Sequence, residues 1–153
     1  MKIVKLLPAF LIILMTVVNV IAKTDPAETG SIKWLTIEEA QELAKINPRS
    51  VFIDFTAEWC GWCKVMDKKT FSDPEVAAYI NENFYAVKVD FESKEKFDYL
   101  GEKYTGKELA RKYGITGLPT ILFASSDFNK IKPVVGYQNV DQFMNKLEKF
   151  KDL

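Results

Sequence analysis

Histidine is absent from all 153 residues, and cysteine occurs only twice. The first absence removes whole reaction classes. No Ser-His-Asp triad or Cys-His dyad can be assembled. Attachment of a c-type haem fails because Lys64, not histidine, follows the second cysteine. Two thiols without imidazole cannot complete a closed zinc site, and a copper site on them lacks its common partner. An excess of either charge is also missing. The 21 Lys and Arg balance 21 Asp and Glu without any basic run, which argues against a nucleic-acid partner. Neither an internal repeat nor a low-complexity stretch is present. With 48% hydrophobic residues the length suits one globular domain.

Long apolar runs are confined to the start. Lys2 and Lys5 precede residues 6–21, which are apolar apart from Thr16 and Asn19, and Val20-Ile21-Ala22 supplies small residues for a peptidase. Residues 1–22 are therefore expected to be an export signal cleaved near Ala22. Residues 23–33 are expected to form a polar tail and 34–153 the domain. An uncleaved membrane anchor is the alternative, although the run is shorter than the roughly 20 residues of a spanning helix. The expected location is periplasmic or secreted.

Both cysteines lie in Trp59-Cys60-Gly61-Trp62-Cys63-Lys64, directly after the apolar run Val51-Phe52-Ile53-Asp54-Phe55. This spacing lets the sulfurs bond across one helical turn. A helix N-terminus favours thiolate over thiol. In an oxidising compartment the pair could be a structural staple, but so short a loop constrains the unfolded chain very little. A redox-active pair is the favoured reading. Asp54 is an acid within an apolar strand, where an unpartnered carboxylate is costly. Lys88 is a candidate charge partner on a neighbouring strand, but exposure is expected for it.

The remaining pattern predicts a helix beginning at the capping box Thr36-Ile37-Glu38-Glu39 and ended by Asn47-Pro48. A strand is expected at 51–56, a helix from Cys60 to about Lys69, and another helix opened by Ser72-Asp73-Pro74-Glu75. A strand at 84–89 follows. The charged stretch 91–106 reads as a short helix and a loop. Residues 107–113 form a helix stopped by Gly114, 120–124 a strand, and 131–135 an edge strand because Pro133 cannot donate to a ladder. Val140, Phe143, Met144, Leu147 and Phe150 mark a final helix with a core-facing stripe. This order implies an α/β fold, a central mixed sheet of four to five strands with helices on both faces.

The phrase from Val51 to Lys64, together with Gly117-Leu118-Pro119-Thr120, resembles the active-site strand and cis-proline loop of the thioredoxin superfamily. Thr70-Phe71-Ser72-Asp73-Pro74-Glu75-Val76 and the long stretch from Asp90 to Pro119 are similar to the C-terminal periplasmic domain of the membrane reductase DsbD and to exported relatives of it. The resemblance implies a thioredoxin fold over about residues 34–151 and a thiol–disulfide oxidoreductase with protein thiols and disulfides as partners. Cys60 would be the nucleophile and Cys63 the resolving thiol. Asp54 would be the acid that takes and returns the Cys63 proton. Pro119 would be cis, with the Leu118 backbone facing a substrate strand. Trp59 matches the family; Trp62 either contacts substrate or shields the disulfide.

Gly-Trp between the cysteines departs from the Gly-Pro of thioredoxin and the Gly-His of disulfide isomerases, so the redox direction does not carry over; a reducing or exchange direction is expected. Membrane helices like those that supply electrons in DsbD are not expected here, which leaves a membrane electron donor as a further candidate partner. A monomer with no metal and no cofactor is expected. A cytochrome c maturation reductant, a thiol-based metal chaperone and a non-catalytic binding module remain alternatives.

Overall fold

The computed structural model describes residues 30–153. The expected signal segment and residues 23–29 of the expected tail lie outside the described residues. The rest of that tail is docked: Ile32 is buried, and Asn81 accepts from the Lys33 N–H and donates to the Ser31 carbonyl, each at 2.8 Å.

Five strands form the main sheet: β1 (Trp34–Leu35), β2 (Ser50–Thr56), β3 (Phe84–Asp90), β6 (Thr120–Ala124) and β7 (Ile131–Val135), in spatial order β1-β3-β2-β6-β7. β1, β3 and β2 run parallel, while β6 and β7 are antiparallel additions. A separate hairpin pairs β4 (Phe97–Tyr99) with β5 (Glu102–Tyr104). The helices are α1 (Ile37–Ile46), α2 (Gly61–Met66), α3 (Pro74–Asn83), α4 (Gly106–Lys112) and α5 (Val140–Phe150). β7 lies at the sheet edge, as Pro133 requires.

The hairpin corrects the expectation of a short helix within 91–106. Its turn residues, Leu100 and Gly101, both have positive φ, 55° and 84°. A two-residue hairpin turn needs that geometry, but leucine does not advertise it. The side chain of Gln41 on α1 holds the turn, donating to the Asp98 carbonyl at 2.8 Å and accepting from the Leu100 N–H at 2.7 Å.

β2 is the central strand and is buried along both faces. Strand alternation sends Val51, Ile53 and Phe55 toward α1 and α4, where they meet Ala40, Ala44 and Leu109. Phe52 points the other way, toward α2, α3 and α5. It is surrounded by Trp34, Phe71, Phe123 and Phe143, with ring centroids 5.7–5.9 Å apart. Removal of such a ring costs about 3–5 kcal/mol. Asp54 belongs by the same alternation to the Phe52 face, under α2.

Candidate redox site

β2 ends at Thr56, and a four-residue connection delivers Cys60 to the start of α2. Cys60 is the N-cap. Its carbonyl accepts from the Lys64 N–H at 3.2 Å, and its Sγ accepts from the Cys63 N–H at 3.2 Å. A backbone donor aimed at this sulfur, with the positive end of the helix behind it, favours charge on Cys60 rather than on Cys63. The two cysteines form a disulfide with their Cα atoms 5.3 Å apart. Both are buried, Cys60 at 4% exposure and Cys63 at 3%, so in this oxidised form position distinguishes them and exposure does not.

The cap over the disulfide comes from three places. Leu118 and Phe91 pack against the cysteines and Ala57. The Leu118-Pro119 peptide bond is cis, as expected, and Thr120 Oγ1 donates to the Gly117 carbonyl at 2.7 Å to brace the loop. Trp59 and Trp62 stand outward at 65% and 61% exposure, and the Trp62 ring lies 5.4 Å from that of Tyr137. A groove of about 490 Å³ beside Trp59 is lined by Glu58, Lys64, Asp90 and Glu92. The larger cavity, about 540 Å³, runs along the edge of β3 past Trp34 and Phe97 and does not touch the cysteines.

Beneath α2 lies a charged cluster. After Met66 the helix widens into a π-helical turn, Asp67–Phe71. Asp67 follows Cys63 by four residues, which places both on one helical face. Lys88 stands opposite Asp54 in the β2–β3 register, with Nζ 3.9 Å from Asp54 Oδ2 and 2.5 Å from Asp67 Oδ1. Its ammonium also lies 4.5 Å from the centroid of the Trp34 ring. Lys88 is thus half-buried and paired, contrary to the expected exposure. Asp54 is 2% exposed, and its Oδ1 has no hydrogen-bond partner. Burial pushes its carboxyl up to about 7; Lys88 opposes the shift and Asp67 adds to it.

The expected site residues therefore fall into one region. Cys60 and Cys63 are bonded, with Leu118 against them and cis-Pro119 beside it. Trp59 and Trp62 flank the pair, and Asp54 lies on the sheet face that α2 covers. Sequence reasoning missed Asp67, Phe91 and Tyr137. Only Asp67 carried a usable signal, its helical spacing from Cys63. No group of three or more metal-ligating side chains occurs among the described residues.

A disulfide capping a helix, a cis-proline loop against it and a five-stranded mixed sheet define a thioredoxin-fold thiol–disulfide oxidoreductase. The chain belongs to the thioredoxin-like domain family, which it matches over residues 37–151. It is 32% identical over 126 residues to the thiol:disulfide interchange protein DsbD of Haemophilus influenzae (strain PittGG), a match covering 78% of this chain and 20% of that protein. The chain thus spans about a fifth of that relative's length. The C-terminal domain of Neisseria meningitidis DsbD in the reduced form superposes with a TM-score of 0.57 at 27% identity, covering 74% of this chain and 91% of the other. A structure described as DsbH oxidoreductase gives 0.66 at 21% identity, covering 86% and 92%, a likeness of fold alone.

Proposed function

We propose that the protein is an exported thiol–disulfide oxidoreductase that reduces or exchanges disulfides of protein substrates through Cys60 and Cys63. The observation that carries this reading is the placement of the disulfide: Cys60 caps α2 under a backbone donor, beside the cis-Pro119 loop, above a buried acid with one unpartnered oxygen.

In the reducing direction, the Cys60 thiolate attacks one sulfur of a substrate disulfide. The substrate S–S bond breaks, and its second sulfur leaves as a thiolate that takes a proton. The Cys63 thiol then loses its proton to Asp54 and attacks Cys60 Sγ. The mixed disulfide breaks, the Cys60–Cys63 bond forms, and the first substrate sulfur leaves as a thiolate that takes up the proton Asp54 returns. Two electrons pass from the pair to the substrate. A carboxyl titrating near 7 suits this transfer because it can both accept and return a proton at neutral pH.

The Leu118 backbone, next to cis-Pro119, is proposed to align an extended substrate segment, with Trp59 as apolar contact. The periplasmic side of a membrane is the proposed location, and regeneration of the dithiol falls to a two-electron donor there. No helix among the described residues is long and apolar enough to cross a membrane. The test is reduction of insulin by the reduced protein. The reading requires turnover with a thiol donor that disappears in Cys60→Ser; wild-type protein no faster than the donor alone would refute it.

A further inference from the structure

Trp59 and Trp62 stand mostly in water beside the disulfide, and they are the two aromatic side chains among the exposed large hydrophobics of the described residues. Trp62 retains 61% exposure even though its ring packs against that of Tyr137, tilted by 41°. Tyr137 is held in place from both sides. Its neighbour Gly136, at φ +86°, donates its N–H to the Pro119 carbonyl at 2.8 Å. On the other side the Gln138 carbonyl accepts from Thr70 Oγ1, at 2.7 Å, and Thr70 is fully buried in the π-helical turn that continues α2. The backbone on either side of Tyr137 is therefore tied to the cis-proline loop and to the helical segment that continues α2, and its ring lies against Trp62. The contact joins Trp62, one of the two residues between the cysteines, to a loop more than seventy positions away. A fixed aromatic wall with one free surface loses little entropy when an apolar side chain covers it.

Resting on the oxidoreductase reading above, we propose that the Trp62–Tyr137 pair is a specificity-determining element that selects polypeptide disulfides with an aromatic residue next to the reactive cysteine. Trp62 follows Cys60 by two residues and stands outward, so the pair borders the disulfide that a substrate sulfur approaches. The side chains flanking that sulfur then fall onto the pair. Aromatic flanks gain ring contact there, whereas glycine flanks gain none.

The probes are two symmetric peptide disulfides, the homodimers of Ac-Gly-Gly-Cys-Gly-Gly-NH2 and Ac-Gly-Phe-Cys-Phe-Gly-NH2. Reduced protein plus one dimer gives oxidised protein plus two peptide thiols, so electrons balance without a further reagent. Each rate is divided by that of dithiothreitol with the same dimer, which removes intrinsic differences in sulfur reactivity. The wild-type protein should favour the aromatic peptide by about fivefold or more. Trp62→Ala and Tyr137→Ala should each bring the ratio within about twofold of unity, and Tyr137→Phe should keep most of the preference.

A wild-type ratio near one would overturn the proposal while leaving the redox reading standing, since both dimers would still be reduced. A ratio unchanged in both alanine variants would overturn it as well. If Trp62 only shielded the disulfide, Trp62→Ala would accelerate both peptides together and leave the ratio unaltered. No reaction with either dimer above the Cys60→Ser background would remove the oxidoreductase reading and the preference with it.

Discussion

Asp54 and Lys88 face each other across the β2–β3 register, yet the Lys88 ammonium lies closer to Asp67, at 2.5 Å, than to Asp54, at 3.9 Å. One cation thus serves two carboxylates, and the more deeply buried of them has the longer contact. This explains why burial prevails over Coulomb attraction at Asp54 and its carboxyl is pushed up to about 7.

Asp54 should make the fold less stable as pH rises. Between about 4 and about 7 the folded protein keeps a proton on this carboxyl that the unfolded chain has already released. The unfolded state binds fewer protons in that window, so the free energy of unfolding falls with increasing pH. The displacement from 3.8 to about 7 corresponds to on the order of 4 kcal/mol across the window. Asp54→Asn removes this contribution. Denaturant midpoints should show the variant gaining on the wild type from pH 4 to 7, and stopped-flow exchange with a disulfide should be slower. An exchange rate equal to that of wild type would place Asp54 outside the chemistry.

Lys88 and Asp67 should move the Asp54 titration in opposite directions. Lys88→Met keeps a long apolar stem against Trp34 and Phe71 but removes the charge that favours ionised Asp54, so the proton should leave at higher pH. Asp67→Asn removes a repelling carboxylate and should let the proton leave at lower pH. The carboxyl carbon shift of Asp54, followed by NMR across pH, reads both. Shifts of the same sign would show that the cluster is not coupled as described.

Gly106 should not tolerate a side chain. It opens α4 against the end of β3, where an added Cβ would run into the Asp90 carbonyl oxygen and approach Val89 Cγ1 to 3.1 Å. Backbone cannot yield as a side-chain tip does, so Gly106→Ala should cost about 1–3 kcal/mol. A denaturant midpoint shows this directly; wild-type stability would mean that α4 is not held against Asp90.

Much of this architecture was legible because local chemistry and tertiary role agree. Thr36 and Glu39 form the expected capping box, Pro74 sits at the start of α3 after its cap Asp73, and Gly114 takes positive φ after α4. The hairpin was not legible. Its strands have three residues each, too short for alternation to register, and its turn uses Leu100 at a positive φ. β1 has two residues and was missed for the same reason. At the site, the cysteines, Asp54 and Pro119 could be found from motif and order. Pairing of Lys88 depends on strand register, and the Trp62–Tyr137 contact depends on how β7 leads into α5. Neither is written in local sequence.

The dithiol should be a reductant or a mid-range exchanger. A strong oxidant stabilises its reduced form through a strongly favoured thiolate. Here the groove beside Trp59 holds Glu58, Asp90 and Glu92 against Lys64 alone, and this negative surplus disfavours further negative charge nearby. Equilibration with glutathione buffers, followed by tryptophan fluorescence, should give a potential nearer about −270 mV than about −120 mV. A value at the oxidising end would assign the protein to disulfide formation.

Trapping of the mixed disulfide tests the central claim most directly. Reduced Cys63→Ser and reduced Cys60→Ser are each mixed with insulin and resolved on non-reducing gels. The account predicts a covalent adduct, cleaved by dithiothreitol, with Cys63→Ser, because Cys60 still attacks and nothing resolves the bond. Cys60→Ser should give none. Equal adducts from both variants, or an adduct from Cys60→Ser alone, would contradict the assignment of Cys60 as nucleophile and Cys63 as resolving thiol.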